Sequence, residues 1–200
     1  MAREGLPFLF AAVAVAAALW QFGYAIYIIP IAFVFAWLLL IFRDPSRTVP
    51  AVPLGVVSPV DGKVIDVKLT DSGALDTEAH RVLIRVNSLG TYTARCPAEG
   101  KIMDFRAAVP ASAAIGSASG LWVRTDEGDD VILQFDGHRF GFAPQAFLGY
   151  GERVGQGQRC AYLRLTRVAE VQLPINSRVM VTAGQQVSAG VDLLAKLPHP

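Results

Sequence analysis

SPVDGKVIDV, residues 58–67, places a proline, an acid, a glycine and a lysine directly before an alternating apolar run. The segment CPAEGKIMDF, residues 96–105, repeats that order. Two later segments, GERVGQGQRCAYL at 151–163 and GQQVSAGVDLLAKL at 184–197, each begin with a G-x-x-V-x-x-G turn and continue into a short apolar run. Glycine turns that lead into short alternating runs are typical of β-strands, so the four segments predict a mainly β domain.

Further strands are predicted between these segments. Short β-branched or alternating runs without helical periodicity occur as RVLIRV at 81–86, VILQF at 131–135, AYLRL at 161–165 and RVMV at 178–181. The stretch 107–118 is rich in Ala and Ser and has no period, so we expect a loop there.

Segments 58–67 and 96–105 are called the first and second echo, because they repeat one pattern. Each echo, taken with one of the two G-x-x-V-x-x-G segments, looks like the half-unit of a biotinyl or lipoyl hammerhead, which implies a duplicated barrel-sandwich-like β domain. Glycine turns that recur in an undivided β protein are the alternative. The resemblance does not extend to carrier chemistry, because the chain has no acid- or Met-flanked lysine motif. We expect Lys63 and Lys101, which follow turn glycines, to be solvated.

The apolar stretch 6–42 contains no Asp, Glu, Lys, Arg or His. As one helix, its about 37 residues would extend roughly 55 Å, farther than the roughly 30 Å hydrocarbon core of a bilayer. Gln21 and Gly23 predict a chain reversal near the middle of this stretch. We therefore expect an N-terminal transmembrane hairpin with spans at 6–20 and 25–42. Pro30 should kink the second span. A re-entrant helical hairpin in one leaflet is the alternative, since both spans are short.

Basic residues flank this hairpin on both sides. Arg3 precedes it, while Arg43 and Arg47 follow it. The positive-inside tendency therefore predicts a cell-membrane protein with both termini and the β domain on the cytoplasmic side. A cleaved signal peptide is disfavoured, because the apolar stretch is much longer than a signal h-region and Glu4 lies beside Arg3.

The chain is expected to divide into a membrane anchor at 1–43, a linker at 44–57 and a β domain at 58–200. Prolines at 45, 50 and 53 prevent a helix from continuing through the linker. The formal net charge of +1 gives no reason to expect a nucleic-acid partner. Exposed edges of a small β domain make a homodimer plausible.

Cys96 and Cys160 are the only cysteines of the chain. They match no metal-ligand spacing, and the cytoplasmic face of a membrane is reducing. We therefore expect two ordinary thiols rather than a disulfide or a metal site.

The order of four segments matches a known family over nearly the whole chain. FRDPSR at 42–47, SPVDGKVIDV at 58–67, AHRVLIRVNSLGTYTARCPAEGKI at 79–102 and GERVGQGQRCAYLRLTRVAEVQLP at 151–174 resemble the short, membrane-associated form of phosphatidylserine decarboxylase. The resemblance implies a membrane phospholipid as partner, conversion of phosphatidylserine to phosphatidylethanolamine, and a pyruvoyl group made from the protein's own serine.

In that family chemistry, a serine hydroxyl attacks the carbonyl of the preceding glycine after a histidine, held by an aspartate, takes its proton. The resulting ester eliminates and the chain breaks. The serine then becomes an N-terminal pyruvoyl group, which serves as the electron sink for decarboxylation.

The chain departs from the family pattern at the residues that carry this chemistry. Gly90 lies at the aspartate position and Tyr92 at the histidine position, although Arg95 and Pro97 keep the frame. The Gly-Ser pair aligns with residues 165–166, Leu-Thr, if one extra residue is allowed before 173–174. The family's Asn-Glu-Arg-Asn segment has no counterpart at 117–123.

Thr166 is therefore the candidate catalytic residue, and a self-derived cofactor is expected only if Thr166 is processed. Elimination at a threonine would leave a 2-oxobutanoyl group rather than a pyruvoyl group. No base lies near it in sequence, and Leu165 replaces the flexible glycine. The interpretation we favour is an ordinary strand threonine.

Other candidate groups are few. The chain has three histidines, His80, His138 and His199, all expected to be solvated. We expect Asp61 to have a structural role in its turn, and the scattered arginines 95, 139 and 167 are not assigned to a phosphate. Two hypotheses remain: a phospholipid enzyme of altered activation, and a catalytically silent, membrane-tethered lipid- or partner-binding module.

Overall fold

The computed structural model describes residues 3–71, 75, 77–103, 119–137 and 144–198. The chain forms two compact units. One comprises residues 1–46 together with 89–92, and the other comprises 47–88 together with 93–200. The predicted loop 107–118 lies outside the described residues.

The first unit contains two helices, α1 (Leu6–Gln21) and α2 (Ile28–Ile41), which pack against each other. The chain reverses between them at Gly23, whose φ of 78° is readily adopted only by glycine. A short 3-10 turn, Ala25–Tyr27, precedes α2. The helical hairpin is thus present where the sequence predicts it.

The membrane-crossing form of this hairpin is not confirmed. The helices have 16 and 14 residues, and among the described residues no helix is long and apolar enough to cross a membrane. The second helix begins at Ile28, so Pro30 does not require a kink in it. Pro30 therefore lies in the first turn, where a backbone N–H has no intrahelical acceptor to lose.

The second unit is built from short strands, as the glycine-turn pattern predicts. The first seven are β1 (Gly55–Val57), β2 (Gly62–Thr70), β3 (Ala79–Val86), β4 (Thr93–Arg95), β5 (Gly100–Met103), β6 (Ser119–Arg124) and β7 (Asp130–Asp136). The other seven are β8 (Gln145–Ala146), β9 (Arg153–Val154), β10 (Arg159–Tyr162), β11 (Val168–Pro174), β12 (Arg178–Val179), β13 (Gln186–Val187) and β14 (Leu193–Lys196). Strand β1 falls within residues 44–57, the predicted linker.

Eight strands form one sheet in the order β13-β2-β3-β11-β7-β6-β5-β9. Two three-stranded sheets, β1-β14-β12 and β4-β10-β8, complete the described strands. All pairs are antiparallel. Because alternate residues of a strand face opposite sides, one face of the large sheet supplies the apolar core. Fully buried core side chains include Val64, Val82, Ile84, Val123, Val131, Leu133, Val171 and Leu173.

The two lysine-containing echoes occupy similar places in the large sheet. In each, the strand that follows the turn pairs with a strand from a G-x-x-V segment: β2 with β13, and β5 with β9. A Cβ placed on Gly62 would lie 2.1 Å from the Arg85 carbonyl oxygen, and one on Gly100 would lie 2.2 Å from the Arg124 carbonyl oxygen. Both glycines therefore permit close strand approach. Duplication of the whole domain is not confirmed by these local pairings.

Candidate functional site

Thr166 closes a tight turn between β10 and β11. The backbone N–H of Thr166 donates to the Leu163 carbonyl at 3.0 Å, and its Oγ1 donates to the same carbonyl at 2.6 Å. Arg164 adopts a φ of 50°, a conformation that is unusual for a residue with a side chain. Thr166 is buried, with 7% of its surface exposed, whereas Leu165 is 43% exposed. The predicted strand 161–165 therefore ends at Tyr162.

The neighbouring strands fix both ends of this turn. Tyr162 pairs with Thr93 of β4 and with Gln145 of β8, and its ring contacts the Phe147 ring at a centroid distance of 5.0 Å. After the turn, the Arg167 carbonyl accepts a 2.8 Å hydrogen bond from the Val86 N–H. The Thr166 hydroxyl is thus held by its own turn within a well-paired part of the sheet.

The residues at the family's Asp and His positions belong to the helical unit. Gly90 is buried there, and the Tyr92 hydroxyl donates to Glu4 Oε2 at 2.7 Å. The Tyr92 ring lies edge-on to the Phe42 ring with centroids 4.7 Å apart. Tyr92 is therefore engaged by the residues that flank the two helices.

His80 is the one histidine among the described residues. It lies in β3 opposite Leu173 of β11. Leu173 lies five residues along β11 from its first residue, Val168, which separates the two by roughly 16 Å at about 3.3 Å per residue, and Thr166 lies only two residues before Val168. His80 is too far away to take a proton from the Thr166 hydroxyl. His138 and His199 lie outside the described residues.

Comparison with known proteins finds relatives that share one name and match nearly the whole chain. Proteins named phosphatidylserine decarboxylase proenzyme from Aromatoleum aromaticum and Burkholderia ambifaria are 30% and 31% identical over 99% and 98% of this chain, and each match covers 96% of the relative. The protein of that name from Nitrosomonas europaea is 29% identical over 98% of this chain and 94% of its own length. This chain belongs to the phosphatidylserine decarboxylase family.

Two further comparisons add little to this assignment. No family model matches the chain. The glucose permease IIA structure from Mycoplasma capricolum aligns with a TM-score of 0.48 and 17% identity over 71% of this chain and 94% of its own.

Asp61, in the family's SPVDG segment, connects three parts of the β unit. Its Oδ2 accepts a hydrogen bond from Arg47 Nη2 at 2.7 Å, and its Oδ1 accepts one from the Ala189 N–H at 2.8 Å. Its backbone carbonyl also accepts the Asn87 N–H at 2.8 Å. These contacts agree with the structural role that the sequence predicts for this aspartate.

The arginine that keeps the family frame, Arg95, is also structural. It is 6% exposed, and its Nη1 donates to the Gly157 carbonyl at 2.9 Å. Its Cδ lies 2.6 Å from where a Cβ on Gly190 would be, so the guanidinium stem packs directly over that glycine. Arg139, also considered for phosphate, lies outside the described residues, and Arg167 is exposed.

Cys96 and Cys160 are both free and fully buried. They lie on the paired strands β4 and β10 or directly beside them, and their thiols contact each other. A hydrogen bond with Cys96, together with burial, raises the pKa of the Cys160 thiol well above its ordinary value. The Cys160 thiol therefore remains protonated, and both cysteines pack as part of the apolar core, as two ordinary thiols would.

One polar network was not predicted from the sequence. Glu170 of β11, 3% exposed, pairs with Arg81 Nη2 at 2.5 Å and accepts a 2.7 Å hydrogen bond from Gln172 Nε2. Gln172 also donates to Gln134 Oε1 at 3.3 Å. The signal was the alternation of VAEVQLP, which places Glu170 and Gln172 together on the face away from the apolar core.

A groove borders this network at Gln172, and Thr166 is not among its lining residues. It has a volume of about 560 Å³, and its lining includes Trp122, Asp129, Ile132 and Gln172. Burial, with Glu127 and Asp130 nearby, raises the pKa of the Asp129 carboxyl. Asp130 is already held by Trp122 and Arg124. The described residues contain no cluster suited to a metal ion.

Proposed function

We propose that this protein serves phospholipid metabolism on a phosphatidylserine decarboxylase scaffold and does not make a pyruvoyl-type group at the Leu165–Thr166 bond. The orientation of the Thr166 hydroxyl carries this proposal. Self-processing requires attack on the carbonyl of the preceding residue, Leu165, whereas this hydroxyl donates to the Leu163 carbonyl at 2.6 Å. Reorienting it would break a buried hydrogen bond, which costs about 1–3 kcal/mol.

The residues at the family's histidine and glycine positions support the same proposal. A processing serine needs a base, and Tyr92 stands at the histidine position with a phenol, which lacks the ring nitrogen by which an imidazole accepts a proton. Leu165 also carries an exposed side chain where the family has a glycine. The residues at this bond therefore do not fit a self-derived carbonyl cofactor, and no catalytic step is assigned to one.

The exposed faces of the helices support attachment to a membrane. Phe8, Phe10, Trp20, Phe33 and Trp37 are each more than half exposed, from 57% to 74%. Large apolar side chains exposed over two packed helices are typical of a surface that enters the interfacial region of a bilayer. We propose that this hairpin attaches the β unit to the cytoplasmic face of the cell membrane. Flotation of the full chain with phosphatidylcholine vesicles tests the attachment, and sedimentation velocity tests the predicted homodimer.

Complementation of a host that lacks phosphatidylserine decarboxylase tests the function. We expect the wild-type chain and the Thr166→Ala variant to give the same level of phosphatidylethanolamine, because Thr166 has no processing role. Thr125→Ala is the matched control, since Thr125 is also buried and its Oγ1 accepts the Asp129 N–H at 3.1 Å.

The outcomes separate the two hypotheses. Equal restoration by wild type and Thr166→Ala assigns decarboxylation to a route that does not use Thr166. No restoration by either, with normal expression, supports the catalytically silent lipid- or partner-binding module. Restoration by wild type and Thr125→Ala but not by Thr166→Ala contradicts the proposal.

A further inference from the structure

Two basic residues lie opposite each other on adjacent strands of the large sheet, and in the part of the chain that the structure describes no carboxylate forms an ion pair with either. Lys63 of β2 is directly opposite Arg85 of β3, and both are exposed. Like charges that are directly opposite on antiparallel strands repel each other and destabilise the pair. An anion bound between the two side chains would offset this repulsion.

The pair borders a concave surface. A groove of about 270 Å³ is lined by Lys63, Val64, Ile65, Arg85 and Gly184. The pairing of β2 with β3 shifts register between Val64 and Asp66, so Ile65 is the extra residue of a β-bulge. A Cβ on Gly184 would meet no atom within 4 Å, which leaves one side of the groove open to a small ligand.

The nearby carboxylates are engaged elsewhere. Asp61, which precedes the strand, is paired with Arg47 at 2.7 Å, and Asp66, on the same strand, is paired with Lys68 at 2.6 Å. Among the described residues, no carboxylate forms an ion pair with Lys63 or Arg85. The two positive charges are therefore available to an external anion.

The second echo provides an internal comparison. Lys101 of β5 is likewise opposite two arginines, Arg124 of β6 and Arg153 of β9. There, Arg124 is paired with Asp130 at 2.8 Å, and Arg153 is paired with Asp126. The arginines opposite Lys101 are thus paired with protein carboxylates, whereas among the described residues Arg85, opposite Lys63, is not.

We propose that Lys63 and Arg85 bind an oxyanion of the phosphate class, either a lipid phosphodiester or a free phosphate. A guanidinium offers two parallel donors to such an anion, and an ammonium adds a point charge beside it. The groove is large enough for a phosphate group, and the bulged Ile65 provides an apolar wall next to it. This site does not depend on decarboxylation at any other residue.

Binding of two probes to the full chain tests the site at low ionic strength, where exposed charges are least screened. Titration with inorganic phosphate, followed by calorimetry in a phosphate-free buffer, tests the soluble ligand. Flotation with phosphatidylcholine vesicles, with and without phosphatidylglycerol, tests the lipid phosphate, and the increment due to phosphatidylglycerol is the readout. The variants are Lys63→Gln and Arg85→Gln, with Lys101→Gln as the matched control.

We expect each of Lys63→Gln and Arg85→Gln to weaken binding of one probe by about tenfold or more, and Lys101→Gln to leave it unchanged. Loss of phosphate binding assigns the site to a soluble phosphate, and loss of only the phosphatidylglycerol increment assigns it to a lipid headgroup. Melting temperatures equal to or above that of wild type show that the variants are folded, since each removes a repulsion. The proposal is overturned if neither probe binds, or if Lys101→Gln weakens binding as much as Lys63→Gln.

Discussion

Replacing Gly62 with alanine is expected to prevent the β unit from folding stably. The added Cβ would lie 2.1 Å from the Arg85 carbonyl oxygen and 3.0 Å from Ile84 Cγ2. The first of these is a backbone atom in the paired strand β3, so it moves only if β2 and β3 separate. We expect the free energy of unfolding to fall by about 3 kcal/mol or more, as for severe overpacking.

Urea unfolding followed by circular dichroism measures this effect, with Gly149→Ala as the control. A Cβ on Gly149 would have its nearest contact at 3.5 Å, an ordinary van der Waals distance, from a Glu152 side-chain oxygen. The control should unfold within about 0.5 kcal/mol of wild type, as for a surface substitution. Similar stability of Gly62→Ala and wild type would show that the strands do not approach as closely as described.

Replacing Asp61 with alanine is expected to cause the second large loss of stability. The substitution leaves Arg47 and the Ala189 N–H without the acceptors they now use at 2.7 and 2.8 Å. The side chains of Arg47 and Asp61 are only 17% and 13% exposed, so water replaces these contacts poorly. We expect a loss of about 2–4 kcal/mol, which lowers the melting temperature by roughly 5–15 °C for a chain of this size.

Asp126→Ala is the matched control, because it also removes an aspartate from an ion pair with arginine. Asp126 and Arg153 are 66% and 71% exposed, and exposed ion pairs contribute little because water solvates both charges. The melting temperature of this control should change by no more than about 2 °C. Equal effects of the two substitutions would contradict the structural role of Asp61.

Local pattern was sufficient to predict a mainly β unit, but not the arrangement of its sheets. Glycine turns and alternating runs indicated β2, β3, β7 and β13, because a half-buried strand repeats every two residues. The end of β10 was wrong by three residues: the predicted strand 161–165 continues through Leu163, where the chain instead forms the Thr166 turn. An apolar residue in a tight turn resembles a strand residue when only the sequence is considered.

The helical segment could be located from the sequence, but the residue at which the second helix begins could not. Hydropathy indicated the apolar segment and glycine indicated the reversal, but neither showed how the reversal is built. The chain uses a 3-10 turn, Ala25–Tyr27, so α2 has only 14 residues and Pro30 falls in its first turn. A difference of three residues in the helix start changed both the length of the predicted span and the expected effect of the proline.

The candidate site depended on contacts that sequence spacing does not encode. The substitutions at Gly90, Tyr92 and Thr166 were visible from the resemblance to the family. The acceptor of the Thr166 hydroxyl depends on the turn geometry, and the partner of Tyr92 is Glu4, 88 residues away. The opposition of Lys63 and Arg85 depends on strand register, which a β-bulge shifts by one residue.

The intact mass of the purified chain is the most direct test of the central claim, that the family scaffold is present without processing at Thr166. We predict a single species near 21.5 kDa that does not react with hydroxylamine. Processing would instead release a C-terminal fragment of about 35 residues, 166–200, with a new carbonyl at its N-terminus. Detection of that fragment, trapped by hydroxylamine or by reduction with cyanoborohydride, would contradict the account.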